Sequence, residues 1–108
     1  MKYINNTLKF ENIDLDKLAK KFETPLYCYS YKKIKQNIDN FKLHFKKISP
    51  LICYAAKANS NLKILKEIKN NGLGADVVSK GELMKALKAG INSKKIVFSG
   101  VGKTPSEL

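Results

Sequence analysis

A lysine stands inside the apolar run LICYAAKA (residues 51–58), close to the point where a strand pattern gives way to a helical one. Burying an ammonium without a partner is costly, so Lys57 calls for a chemical reason. Desolvation lowers a lysine pKa and raises the share of free amine able to attack a carbonyl, which is what a Schiff-base lysine requires. Ala55, Ala56 and Ala58 are small and leave room beside that amine for something bulky. The competing reading is a strand-end lysine whose methylene stem carries its charge out to solvent. Asp76 is the second unusual group, near the start of the apolar stretch ADVVS (75–79). A buried carboxylate needs a partner, and Lys57 would serve if neighbouring strands align the two. The alternative is a loop carboxylate just ahead of the strand.

The elements that must position these residues follow from periodicity and punctuation. Leu15, Leu18, Ala19 and Phe22 share one face of a helix over 14–22, which Thr24-Pro25 ends, because the residue before proline avoids the helical region. PLYCYS (25–30) reads as a short aromatic strand. Ile34, Ile38, Phe41 and Phe45 then recur at helical spacing until Ser49-Pro50. The continuous apolar run at 51–58 fits a strand buried on both faces, as in parallel sheets. A helix over 61–71 turns Leu62, Leu65 and Ile68 inward and stops at Gly72. ADVVS is the next strand, closed by Ser79-Lys80-Gly81-Glu82, a capping box that opens a helix carrying Leu83, Met84 and Leu87 and ending at Gly90. KIVFSG (95–100) is a third strand.

Strand and helix alternate with roughly 20 residues per unit, which argues for a parallel α/β architecture. A βα barrel and a doubly wound sheet both satisfy that pattern. In either, ligands gather at the C-terminal ends of the strands. Lys57 with Asn59 and Ser60, Ser79, and Ser99-Gly100 lie at or near three such ends, so the fold would bring them to one rim. Thr104-Pro105-Ser106-Glu107 is one more helix-start signal, followed by a single residue. A helix of that length has no face to bury, so we expect residues 1–108 to be the N-terminal piece of a longer chain.

Composition narrows the function classes. The 108 residues are 44% hydrophobic, enough for a core, and no stretch approaches the roughly 20 apolar residues of a membrane span. The first fifteen residues hold no continuous apolar segment, so a cytoplasmic protein is expected. The formal charge of +12 comes from lysines scattered over every helix, not from arginines clustered with aromatics, which weighs against specific nucleic-acid binding. Cys28 and Cys53 sit in separate apolar runs with no histidine nearby; two reduced, buried thiols are expected and no metal site. His44, the one histidine, lies on a lysine-rich helix without chemical company. GVGKT (100–104) fails as a phosphate loop because Val97 stands where a glycine is required, and GLGADV (72–77) precedes a strand where a dinucleotide fingerprint would follow one.

YAAKANSN (54–61), GADVVSKGEL (74–83) and IVFSGVGKT (96–104), with TPLYCYS (24–30) ahead of them, together resemble the diaminopimelate decarboxylase family of alanine-racemase-like, fold-type III pyridoxal-phosphate enzymes. The resemblance runs from about residue 24 to the end, and one departure is Lys80, where many members carry glycine. It implies the N-terminal part of a (βα)8 TIM-type barrel, truncated, with a lead-in at 1–24 and an incomplete cofactor-binding barrel at 25–108. It implies pyridoxal 5'-phosphate as cofactor, with Lys57 as the lysine that carries it and Asp76 as the aspartate close to both. The stretches around Ser79 and Ser99 become the second and third barrel strands, with no catalytic role. The glycine-rich phosphate loop, the carboxylate facing the pyridine nitrogen, the substrate-binding residues and a cysteine lent across a dimer interface would lie beyond Leu108. The implied activity is decarboxylation of meso-2,6-diaminopimelate to L-lysine, the last step of lysine biosynthesis, by a homodimer acting on a small amino acid and not on nucleic acid or membrane. An ornithine, arginine or carboxynorspermidine decarboxylase of the same family is the alternative, and so is a fragment inactive by itself.

Overall fold

The computed structural model describes residues 1–108, and its first feature is a hairpin turn: Asn5 and Asn6 both take positive φ, 48° and 59°. Two successive left-handed residues match the twist of antiparallel strands, and asparagine tolerates that conformation. The turn joins β1 (Lys2–Ile4) to β2 (Thr7–Phe10), with Tyr3 opposite Leu8, and β2 pairs in turn with β3 (Ile13–Asp14). Helix α1 (Leu15–Phe22) begins where the sequence places it, because the Asp14 carboxylate accepts from the amides of Asp16 and Lys17. Leu15, Leu18 and Ala19 are half-buried as expected, while Phe22 is exposed.

The expected strand at 25–30 does not form: no ladder pairs these residues, and Leu26, Tyr27 and Tyr29 are exposed. An extended aromatic segment becomes a strand only when another backbone edge meets its amides and carbonyls. Ser30 instead ends the segment as the cap of α2 (Tyr31–His44), its Oγ accepting from the Lys33 amide. Ile38 is the buried residue of that helix, while Phe41 and Phe45 remain largely exposed. Residues 1–41 and 42–108 form two compact units.

The second unit carries the parallel sheet. Its strands are β4 (Cys53–Ala55), β5 (Gly74–Val77) and β6 (Ile96–Phe98), in that spatial order and all parallel. Helix α3 (Leu62–Asn70) connects the first pair and α4 (Lys80–Lys88) the second. Parallel neighbours need such crossovers, which lay helices over one face of the sheet. Both helices end in the same way. Gly72 and Gly90 adopt φ of 77° and 87°, their amides and those of Leu73 and Ile91 turn back to carbonyls of the preceding helix, and Leu73 and Ile91 bury themselves behind the turn. This double closure satisfies carbonyls a helix end otherwise leaves open. The ammonium groups of Lys42 and Lys95 donate to the carbonyls of Asn71 and Gly72, complementing the negative end of α3.

The core lies between these helices and the sheet: Leu65 and Ile68 of α3, Ala86 and Ala89 around the end of α4, and Ala75 and Val77 of β5 are all buried. On α4, Met84 and Leu87 are 57% and 42% exposed, Leu83 is half-buried, and Ala86 is fully buried.

Candidate active site

Lys57 is not in a strand. β4 ends at Ala55, and Ala56–Ala58 form one turn of 3-10 helix before the chain enters α3. Ala56 is fully buried on the helix side, whereas Lys57 is exposed. The burial argued from the apolar run is therefore absent within these residues: the run continues through a turn in which Ala56 is buried while Lys57 and Ala58 are exposed. The Lys57 amine is thus open to solvent, and its accessibility is compatible with capture of a carbonyl as well as with a solvated surface lysine.

The turn is held at both ends. The Tyr54 hydroxyl donates to the carbonyl of Asn59 at 3.1 Å, spanning the three-residue helix. Asn59 accepts the Asn61 amide on its own side chain, and Asn61 caps α3 by accepting from the Lys63 amide at 2.9 Å. The ammonium of Lys85 on α4 donates to Ser60 Oγ at 2.9 Å. Asn59 and Ser60, expected at the rim with Lys57, are thus the residues that fasten its loop.

Asp76 lies within β5, not in a loop ahead of it. In the register of the sheet it stands between Ala55 of β4 and Val97 of β6. Side chains on one such row share a face, opposite the face on which Ala75 and Val77 meet the helices. That second face of the sheet therefore carries Cys53, Ala55, Asp76, Val97 and Ser99. Asp76 Oδ1 accepts a hydrogen bond from Ser99 Oγ at 2.6 Å, and no ion pair joins Asp76 to Lys57. The Lys57–Asp76 pairing considered from sequence is replaced by Asp76–Ser99; Asp76's row ends two residues short of Lys57.

The remaining sequence candidates resolve as supports. Ser79 Oγ accepts from the Glu82 amide, and Glu82 accepts from the Val78 amide at 2.9 Å, so the capping box is present with its return bond one residue earlier than usual. At the second start signal residues 105–107 form a turn, and the Glu107 carboxylate accepts from the Thr104 amide and hydroxyl and from the Lys80 amide at the start of α4. The Thr104 bonds, chiefly its amide, hold the Glu107 carboxyl below the ordinary carboxylate range. The cysteines are free but not both buried: Cys28 is exposed and Cys53 half-buried. Partial burial pushes the Cys53 thiol up, and the Asp76 carboxylate adds to that.

An exposed primary amine at the C-terminal end of a parallel strand, small alanines around it, and a carboxylate with one unpaired oxygen on the adjoining strand suit an aldehyde cofactor that must be captured by an amine and steered by charge. Residues 31–108 match the family described as pyridoxal-dependent decarboxylase, pyridoxal binding domain. This chain belongs to that family. Among curated relatives, it is 55% identical over 93 residues to the diaminopimelate decarboxylase of Helicobacter pylori, covering 86% of this chain and 23% of the relative. It is 45% identical over 108 residues to the diaminopimelate decarboxylase of Aquifex aeolicus, covering 100% of this chain and 25% of that one. Among solved structures, the diaminopimelate decarboxylase of M. jannaschii superposes with a TM-score of 0.93 at 39% identity, over 98% of this chain and 26% of that one. The chain thus spans about a quarter of the length of the relatives it matches. These likenesses agree with the barrel reading of the parallel sheet over the doubly wound one.

Tyr54 and Ser99 are the two site residues whose roles sequence reasoning missed. Tyr54 looked like one more apolar strand residue. Ser99 was placed at the rim but given no partner, because its contact to Asp76 depends on the β5–β6 register, which no local pattern specifies.

Proposed function

We propose that these residues serve a pyridoxal-phosphate-dependent carboxy-lyase that converts meso-2,6-diaminopimelate to L-lysine, with Lys57 as the amine that holds the cofactor. The observation that carries the reading is the placement of Lys57: an accessible amine on a turn fastened by Tyr54 at the C-terminal end of β4, beside the row that bears Asp76. The names of the relatives support the substrate, as does a structure of the Helicobacter pylori diaminopimelate decarboxylase complexed with L-lysine, 51% identical to this chain. When bound, the cofactor supplies an electron sink for the charge left by departing carbon dioxide. The chain's own share is to present the Lys57 amine and to set the Asp76 carboxylate on the neighbouring strand. We further place residues 25–108 in the cofactor-binding barrel and residues 1–24 in a lead-in to it, with the active form a homodimer.

The test is chemical labelling of the full-length protein. Borohydride reduction after loading with pyridoxal phosphate should attach the cofactor to Lys57, located by peptide mass spectrometry, and Lys57→Ala should abolish both label and turnover. Labelling at another lysine would overturn the assignment. Turnover of ornithine, arginine or carboxynorspermidine in preference to diaminopimelate would keep the chemistry and replace the substrate. Residues 1–108 alone are proposed to be inactive, since a barrel closes only with all its strands.

A further inference from the structure

We propose that Ser99 is a positioning residue for Asp76, fixing the direction in which its carboxylate faces the cofactor held by Lys57; this rests on the functional reading above. Ser99 is itself placed by the backbone. Its amide donates to the Val77 carbonyl at 3.0 Å, extending the β5–β6 ladder past the last strand residue. Gly100 behind it packs so closely that a Cβ there would lie 2.4 Å from the Val78 carbonyl oxygen, so the missing side chain lets the chain after β6 run close beside the end of β5. The hydroxyl then donates to Asp76 Oδ1 at 2.6 Å, the short distance of a hydrogen bond to a charged acceptor.

The consequence is directional. A carboxylate on a half-exposed strand position rotates about its terminal torsion between broad wells. Binding one oxygen to a hydroxyl on a paired strand removes that freedom and leaves the second oxygen to meet a positive group. The group that needs it is an amine at the C-terminal end of β4, where Lys57 stands two residues beyond Asp76's row. No other side chain donates to Asp76, so the geometry of this carboxylate depends on Ser99. Because Ser99 is exposed, a threonine fits there with its hydroxyl retained.

The experiment uses the full-length holoenzyme and its cofactor-free form, with Ser99→Ala, Ser99→Thr, Asp76→Asn and the double variant Ser99→Ala/Asp76→Asn. In the cofactor-free form, stopped-flow absorbance measures the rate at which added pyridoxal phosphate is captured, and borohydride trapping locates the capture at Lys57. Ser99→Ala should slow capture and lower kcat by roughly tenfold each, the scale of one hydrogen bond to a charged group, with KM nearly unchanged. Ser99→Thr should restore both. In the Asp76→Asn background, Ser99→Ala should have no further effect, because a residue that acts through another loses its influence once that partner is neutral. An equal loss in both backgrounds, or failure of threonine to restore the rates, would overturn the proposal while Lys57 labelling upholds the wider reading. Absence of wild-type labelling at Lys57 would overturn both.

Discussion

At the scale of single residues, the chemistry rests on small and replaceable contacts. The Tyr54 hydroxyl spans the turn that bears Lys57, and the phenyl ring of phenylalanine would fill the same half-buried space without it. Tyr54→Phe should therefore leave the fold intact and loosen residues 56–59. We expect amide exchange in that turn to quicken and activity of the full-length enzyme to fall about fivefold, the equivalent of ~1 kcal/mol for one neutral hydrogen bond. Hydrogen exchange resolved by mass spectrometry checks the first, steady-state kinetics the second; unchanged exchange at 56–59 would show that the bond does not restrain the turn. Lys57 and Asp76 were legible from sequence because each breaks an apolar pattern. Their environments were not. An apolar run suggested a buried lysine, yet the strand stops at Ala55 and the turn exposes the amine, because a 3-10 helix rotates successive side chains where a strand merely alternates them.

At the scale of elements, termini were more legible than faces. Ser79 with Glu82, Asn61, Gly72 and Gly90 stop and start their helices where their local chemistry requires, since caps and left-handed closures act within a few residues. Which residues of α4 pack was not legible: Ala86 is buried while the larger Met84 and Leu87 are exposed. The stretch at 25–30 has strand composition without a strand partner. Conversely, Asn5-Asn6 was a hairpin signal that the reading passed over. Strand spacing itself depends on one small residue: a Cβ on Gly74 would lie 2.1 Å from the Lys95 carbonyl oxygen and 2.9 Å from Cys53 Sγ. Gly74→Ala should then force β5 from β6 and destabilise the protein by ~3 kcal/mol, the upper range for overpacking. Chemical denaturation measures this. A loss below about 0.5 kcal/mol, the range of neutral surface changes, would mean the strands shift without strain.

At the scale of the whole molecule, the charge and the sheet carry the argument. With 21 basic against 9 acidic residues the protein repels itself, and the ion pair of Lys35 with Asp39, at 2.7 Å, offsets little of that because both groups are well exposed. Raising ionic strength from about 0.01 M to about 0.15 M shortens the screening length from about 30 Å to about 8 Å, so the unfolding temperature should rise. Thermal denaturation followed by circular dichroism at the two salt levels is the check, and a fall would show that attractive pairs outweigh the repulsion. The sequence by itself determined the parallel α/β order, the start and stop of its helices, and the two residues proposed for the chemistry, since all of these follow from local periodicity and from polar groups set in apolar runs. Only the tertiary structure decided that Lys57 is exposed on a fastened turn and that Asp76 faces Ser99 in place of Lys57. Those outcomes turn on strand register and on how closely backbones pack, and residues 20 or more positions apart settle such questions only when the chain brings them together.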